Sequence, residues 1–424
     1  MFSFLFAASV AAEDEAALRA AQTDTYARMM SDPADPALMI EYAQQSIALG
    51  DYEAAISTLE RALIYEPNEP VTHFELGVAY FRIGSYRQAE YNLNAAREVG
   101  LAPELDERAA LYLGEIDRRL AVSGFSGTAT AGFIYSSNAN LGPDSEFVSF
   151  LGVVVPLQPG VSSKSDVGAR ATLNLRHRYD LGGPDSDAWL TDLNLYSAHF
   201  ADETEGDTDF VSILTGPRLS LTPSAFGPKI RPFVTAAHAR SSNDAFYTDF
   251  GAGSELSYPV NSDLTTFGRL GIVRRDFAGG GAFDSVIFGA DFGAAVLINP
   301  RLVVRGGLVG EAEFNDENDF DNQEIGARAS FTYSYSPGFA QVDGLWSLDG
   351  YASYTHRFFD EPFAVVDPTR TRDDDEFRVS LSHLFRVQDG FGVKLDVDYF
   401  NRSSNFTNFE LDNLTAGVSA VFEF

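Results

Sequence analysis

From Gly127 to its last residue this chain repeats one pattern: apolar and polar residues alternate with a period of two, in long segments. Fourteen segments can be read, at 127–137, 165–178, 188–200, 208–221, 229–241, 246–258, 263–276, 283–297, 301–314, 323–335, 346–359, 374–387, 391–402 and 411–424. Successive side chains of a strand point to opposite faces, so each segment has one apolar and one polar side. Over 166–179, Val167, Ala169, Ala171, Leu173 and Leu175 alternate with Asp166, Arg170, Thr172, Asn174, Arg176 and Arg178. Over 391–402, Phe391, Val393, Leu395, Val397 and Tyr399 oppose Lys394, Asp396, Asp398 and Arg402. In the last segment Leu414, Ala416, Val418, Ala420, Phe422 and Phe424 share a face, and only Val421 breaks the polar set. Soluble sandwiches also alternate, but their strands usually run to about five or six residues. Segments of about ten residues, charged on one side and aromatic near both ends, fit tilted strands that cross a bilayer. Such a sheet must close, because an open edge cannot be satisfied in hydrocarbon.

The reading is a transmembrane antiparallel barrel of about fourteen strands over 123–424. Arg170, Arg176, Arg178, Arg301, Arg305, Lys394 and Arg402 are expected on its inner wall. They would keep a lumen wet, or simply solvate a passive wall paired within itself. An even strand count returns both ends to one side, so the odd links should be the longer external loops. Links at 201–209, 314–323 and 359–376 are longer or more acidic than 298–300 and 387–390, while 336–345 departs from the rule. Phe422 and Phe424 close an alternating strand, as in outer-membrane barrels whose assembly machinery recognises a terminal aromatic strand.

Composition excludes other classes. The net charge is −31, yet 45% of residues are hydrophobic, with 35 Phe and 18 Tyr. That is too apolar for disorder and too acidic for nucleic-acid binding. Cysteine is absent, which removes disulfides, thiolate metal sites and a Cys nucleophile. No apolar run reaches the roughly 18–20 residues of a spanning helix. Residues 1–12 read as a signal peptide without its basic leader, with cleavage expected after Ala12.

Residues 13–122 are different, rich in Ala, Leu, Glu and Arg at helical spacing. The stretch 49–67 aligns with 83–100 at an offset of 34, matching Gly50 to Gly84, Tyr52 to Tyr86, Ala55 to Ala89, Leu59 to Leu93 and Ala62 to Ala96. This resembles the tetratricopeptide (TPR) repeat. Gly77, Ala89 and Ala96 are small enough for two helices to approach, and Pro67 ends a helix. Helices near 14–30 and 104–120 should cap the stack. The fold class is thus α + β in two domains, an N-terminal TPR α-solenoid and a C-terminal barrel. On the second repeat Val71, Phe74, Val78, Phe81 and Arg82 are expected on the concave face as a client-binding surface, with Phe74 and Phe81 equally readable as packing residues.

A short TPR domain ahead of a fourteen-stranded barrel resembles the surface lipoprotein assembly modulators, the Slam family. The local marker is "GFIYSSNANLGP" (132–143), in which Tyr135, Ser137, Asn138 and Asn140 are similar to an aromatic-x-Ser-Asn-x-Asn segment that opens such barrels. The same residues also suit an ordinary loop entry. The resemblance implies an outer-membrane monomer with its helical domain in the periplasm, helping lipoproteins or related clients reach the cell surface. Its partners would be the client, outer-membrane lipid and lipopolysaccharide, and the barrel assembly machinery. A TPR-barrel porin for exopolysaccharide export is the alternative; it would want aromatics in the lumen, where the strands read as polar and charged. An enzyme is not expected: His73, His177, His199, His238, His356 and His383 belong to no recognisable catalytic motif. No cofactor or metal is expected either, since 316–324 lacks the glycine and spacing of an EF-hand.

Overall fold

The computed structural model describes residues 2–424 except 159, 183–186, 223–226, 280, 282, 318–319 and 338–344, with side chains from residue 17 onward. Of the leader assigned to residues 1–12 only the backbone of 2–12 is described, as the start of the first helix, and parts of the links at 336–345 and 316–324 lie outside the described residues. The chain divides into two compact units, Met1–Ala121 and Val122–Phe424.

The first unit is six helices: α1 (Phe2–Ser31), α2 (Pro36–Ala48), α3 (Tyr52–Tyr65), α4 (Pro70–Arg82), α5 (Tyr86–Val99) and α6 (Pro103–Leu120). Proline opens α2, α4 and α6, where its missing N–H costs nothing. Asp35 caps α2 by accepting from the N–H of Ala37 at 2.8 Å. The two aligned repeats close alike. Gly50 and Gly84 sit at φ +80° and +78°, and the amides of Asp51 and Ser85 reach back to the carbonyls of Ser46 and Tyr80 at 2.9 Å. The repeated small and apolar positions are the core: Ala55, Leu59, Ala62, Ala89, Leu93 and Ala96 are all fully buried. No helix among the described residues is long and apolar enough to cross a membrane.

The second unit is a closed antiparallel barrel of fourteen strands. Its wall comprises β1 (Ser123–Ser136), β4 (Asp166–Asp180), β5 (Ala188–Phe200), β6 (Thr208–Ser220), β7 (Lys229–Ser241), β8 (Asp244–Pro259) and β9 (Leu264–Phe277). It continues through β10 (Ser285–Asn299), β11 (Leu302–Asn315), β12 (Asn322–Tyr335), β13 (Trp346–Pro362), β14 (Thr371–Gln388), β15 (Phe391–Ser404) and β16 (Leu411–Glu423). Each strand pairs with the next in sequence, and β1 closes the ring by pairing with both β4 and β16. A small hairpin, β2 (Phe147–Phe150) and β3 (Val153–Pro156), lies in the first link. Ser123 and Phe424 lie at one end of the barrel, called here the near rim; the first link lies at the far rim.

Several strands run past their expected ends, because ladder pairing continues where alternation fades. β1 begins at Ser123, and β13 and β14 extend to Pro362 and from Thr371, which shortens the acidic link expected at 359–376 to 363–370. The far link between β7 and β8 is only Ser242 and Asn243, both in the left-handed region (φ 51° and 67°), a tight hairpin turn rather than a long loop.

The inner face identifies itself. Arg170 of β4 reaches Asp396 of β15 at 2.6 Å although β1 and β16 lie between. Side chains converge across intervening strands only on the concave side of a curved sheet. The opposite set is apolar and exposed: Phe250, Leu270, Leu308, Ile325, Leu395 and Val418 are each 43–67% accessible. Both tryptophans, Trp189 and Trp346, stand at the near rim on this outer face, as expected where a wall meets the membrane interface.

One packing test follows for the helical unit. A Cβ added to Gly77 would fall 2.6 Å from Cγ of Leu93, in the α4–α5 contact. Gly77→Ala should destabilise this unit by about 1–3 kcal/mol, measured by urea unfolding of the helical signal, while Gly114→Ala, with open space around it, should not.

Candidate functional site

The inner wall is a mesh of ion pairs, and glycine makes room for them. Arg170 faces Gly132 on β1, and a Cβ on Gly417 of β16 would lie 2.5 Å from its Nη2 and 2.8 Å from Oδ2 of Asp396. A side chain at Gly417 would force this pair to shift from its present geometry. Lys394 stands 3.8 Å from the same Asp396. Arg402 donates to Glu376 at 2.7 Å, Arg378 lies 3.4 Å from Asp398, and Ser380 also donates to Asp398.

Toward the near rim the mesh runs over five strands. Arg176 donates to Asp192 at 2.5 Å, and Arg231 donates to Asp192 at 2.7 Å and to Glu255 at 3.4 Å. Arg269 lies 3.9 Å from Glu255. Arg231 is almost fully buried and also donates to the carbonyls of Leu190 and Leu214. Arg328 and Asp291 pair across β11. A buried charge is tolerated only when paired and hydrogen-bonded, and here Arg170–Asp396, Arg231–Asp192 and Arg328–Asp291 also tie nonadjacent strands together.

Of the residues expected on the inner wall, Arg170, Arg176, Arg178, Arg305, Lys394 and Arg402 face inward by register. Arg301 does not: it lies in the turn between β10 and β11, which begins one residue later than the alternation suggested. The sequence reading also missed the aromatics on this wall. Tyr196 and Phe400 line one cavity with Arg170 and Arg378, and Phe233 lies under Arg269, whose guanidinium is 4.8 Å from the ring centre. Phe233 covers Gly253, where a Cβ would be 2.5 Å from its Cζ, and Phe267 covers Gly293 in the same way at 2.6 Å. Inward glycines next to inward aromatics were the signal; alternation alone did not display it, because glycine counts as neither apolar nor polar.

Two cavities follow from this wall. One, of about 600 Å³, lies toward the far mouth, with Asn138, Ala139 and Leu141 of the first link over strand residues including Arg170, Tyr196, Asp396 and Phe400. The other, of about 630 Å³, lies toward the near rim between Arg176, Asp192, Arg231, Glu255 and Arg269.

The segment at 135–140 is the anchor of that first link. Asn138 is buried; its amide donates to the carbonyls of Gly142 (2.8 Å) and Asp412 (3.1 Å), and its Oδ1 accepts from the N–H of Gly142 (2.9 Å). Ser137 Oγ accepts from the N–H of Leu414 at 2.8 Å. Asn140 donates to the carbonyl of Ser162 at 3.0 Å and accepts from the N–H of Lys164 at 2.9 Å, joining the two ends of the link. Tyr135 points outward and is 42% exposed. The polar residues of this segment are thus consumed in holding a loop. Phe422 and Phe424 point outward at the near rim, and Phe424 exchanges both backbone bonds with Gly127. Val421, the break in the pattern, faces inward and is buried opposite Thr130 and Gly392.

In the helical unit the expected client surface is corrected. Phe74 and Val78 are buried in a core with Ala109 and Ile116, because α6 packs over α4. Val71 and Phe81 are half-buried and Arg82 is exposed. A different groove, of about 330 Å³, lies between Phe81, Arg108, Leu111, Tyr112 and Glu115, with Leu111 75% exposed. On its other side Phe81 packs edge-on to Tyr86 at 5.7 Å. Near this region Tyr80 donates to Glu60 at 2.6 Å, and burial together with that carboxylate pushes its hydroxyl up to about 12.

The histidines give no assembled catalytic group. Ser123 and His177 meet at 2.8 Å on the outer wall, but no carboxylate among the described residues holds the other ring nitrogen. His199 and Ser197 both bond Asp209 rather than each other. Among the described residues no three metal-binding side chains come together.

A model of the TPR repeat matches residues 44–84. No curated protein matches the chain. Among solved structures, the type III secretion chaperone SycD of Yersinia enterocolitica with a peptide of the translocator YopD is 20% identical, covering 28% of this chain and 95% of that one, with a TM-score of 0.24. The outer membrane protein OmpT of Vibrio cholerae, as a loop L8 deletion mutant, is 10% identical over 72% of this chain and 100% of its own, at 0.37. The outer membrane channel DcaP of Acinetobacter baumannii is 9% identical over 71% and 97%, at 0.38. The fourteen-stranded fold of this chain stands on its own strand register.

Asn138→Ala would leave the N–H and C=O of buried Gly142 without their side-chain partner, at about 1–3 kcal/mol each. Proteinase K should then cut within 143–163 at least tenfold faster, while the barrel keeps its heat-modifiable migration on gels.

Proposed function

We propose that this chain is an outer-membrane translocation factor that helps deliver lipoproteins or related protein clients to the cell surface. The helical repeat domain, on the periplasmic side, engages the client, and the barrel supports its passage. The observation that carries this reading is the union in one chain of a TPR stack bearing an accessible groove at Phe81, Leu111 and Tyr112 with a closed barrel of polar inner wall. TPR stacks hold polypeptide in such grooves, and a wet wall of paired charges offers transient contacts without a deep trap. In this reading the outward Phe422 and Phe424 present the terminal strand to the barrel assembly machinery, the apolar outer wall meets lipid and lipopolysaccharide, and the barrel works as a monomer.

Export of a polysaccharide is the second reading. The inward rings of Tyr196, Phe233 and Phe400 favour it, since sugar faces stack on aromatic rings.

Gene deletion followed by protease shaving of intact cells tests both. Loss of one or a few surface-exposed proteins, at unchanged total amounts, is the expected result. Unchanged surface proteins with lost exopolysaccharide would replace the first reading by the second. Within the first reading, Leu111→Asp should reduce surface display of the client severalfold, whereas Leu111→Met should not.

A further inference from the structure

The first link carries a feature that the barrel does not need. The β2–β3 hairpin projects large apolar side chains into solvent at the far rim: Phe147, Phe150, Leu151, Val153 and Val154 are 52%, 53%, 58%, 62% and 66% exposed. Val365 of the neighbouring link, 55% exposed, adjoins them. Contiguous apolar surface of this kind marks an interaction site. Membrane contact explains the outer wall, but these residues lie in a link beyond the strands that form it.

The hairpin is held as a platform. Leu151 and Gly152 form its turn in the left-handed region (φ 51° and 77°), and their amides donate to the carbonyls of Val365 and Val366 at 3.0 and 2.8 Å. On the β2 edge, the N–H of Ser149 donates to Oδ1 of Asn408 (2.8 Å), and the carbonyl of Ser149 accepts from the Asn408 amide (3.0 Å). One edge is therefore closed by a side chain. Ser149 is the partner of Val154. Because the backbone groups of Ser149 point away from the hairpin, those of Val154 must point away on the other side. They have no partner among the described residues. The β3 edge, Val153-Val154-Val155, is an open and apolar strand edge, which proteins ordinarily cover or charge.

Its surroundings specify what covers it. Asp144, Glu146 and Glu410 lie at the hairpin base, the amide of Asp144 bonding the carbonyl of Glu410, and the carboxylate of Asp367 approaches Gly152 at the turn. Burial, with Asp412 and Glu410 close by, holds the Asp144 carboxyl above its ordinary range, so an arriving cation would relieve real repulsion. An anionic membrane surface is disfavoured by the same charges, and lipid offers no partner to the Val154 N–H.

We propose that β3 is a docking edge for an extended polypeptide segment with alternating apolar residues and basic flanks, which adds as a third strand to the hairpin. Backbone bonds to Val154 would supply affinity, Phe150 and Val153 would pack on the apolar residues of the guest, and the acidic base would select its flanks. The proposal does not require that the partner pass through the barrel.

The chain has no cysteine, so Val154→Cys gives a single labelling site. Full-length protein in phosphatidylcholine nanodiscs, carrying an environment-sensitive dye there, is titrated with a synthetic peptide of alternating Val and Thr between Lys pairs. A saturable blue shift is expected, with affinity at least tenfold weaker for the same peptide flanked by Glu or N-methylated at alternate residues. Without the label, fluorescence anisotropy of a tagged peptide should show a tenfold loss on Val154→Pro and on the paired change Phe150→Ser with Val153→Ser, in barrels that remain heat-modifiable. Equal binding of Lys- and Glu-flanked peptides, or undiminished binding to both variants, overturns the proposal. So does quenching of the dye by brominated lipid before peptide is added, which would place the hairpin in the bilayer.

Discussion

Closure of the sheet is the constraint on which the rest depends. In hydrocarbon every backbone N–H and C=O needs a partner within the protein. β1 supplies it by pairing over Thr128–Ser136 with β16 and over Ser123–Ser136 with β4. Once the ring is closed, alternation assigns each side chain to lipid or lumen, and a shift of one residue would exchange the two. The exchange of bonds between Gly127 and Phe424 continues the seam to the end of the chain.

The inner wall follows from closure. Charges excluded from the outer face gather inside, where curvature brings residues of nonadjacent strands together. Arg170–Asp396 spans two strands, and Arg231–Asp192, Arg328–Asp291 and Arg386–Glu423 each span one. Such pairs contribute little net stability when desolvation is counted, but they fix which strands lie opposite one another and keep the wall polar. Glycines at 132 and 417 are part of the same device, since they leave the path that Arg170 crosses.

Most of this architecture was legible in the sequence, for physical reasons. A strand covered by lipid on one side and water on the other must alternate, so Val167 to Arg178 and Phe391 to Arg402 revealed their faces directly. The helical repeat was legible because Ala55, Leu59, Ala62 and their counterparts 34 residues on occupy the same buried positions. What alternation could not report is contact. Phe74 could be read as client-facing or as packing until α6 is laid over it, and the segment at Asn138 could be read as a family marker or as a loop entry until its partners at Gly142 and Asp412 are seen. The lumenal rings of Phe233 and Phe267 escaped because the glycines they cover carry no pattern. The β2–β3 hairpin escaped because a short run such as Val153-Val154-Val155 has no period.

The central claim is that the apolar set of each wall strand faces lipid and the polar set faces water. Because the chain lacks cysteine, spin labels can be placed one at a time at residues 167 to 178 of β4, and the protein reconstituted in liposomes. Collision rates with oxygen and with a water-soluble nickel chelate should alternate in opposite phase, odd positions favouring oxygen and even positions nickel. Two aqueous faces, or a loss of the two-residue period, would contradict the account.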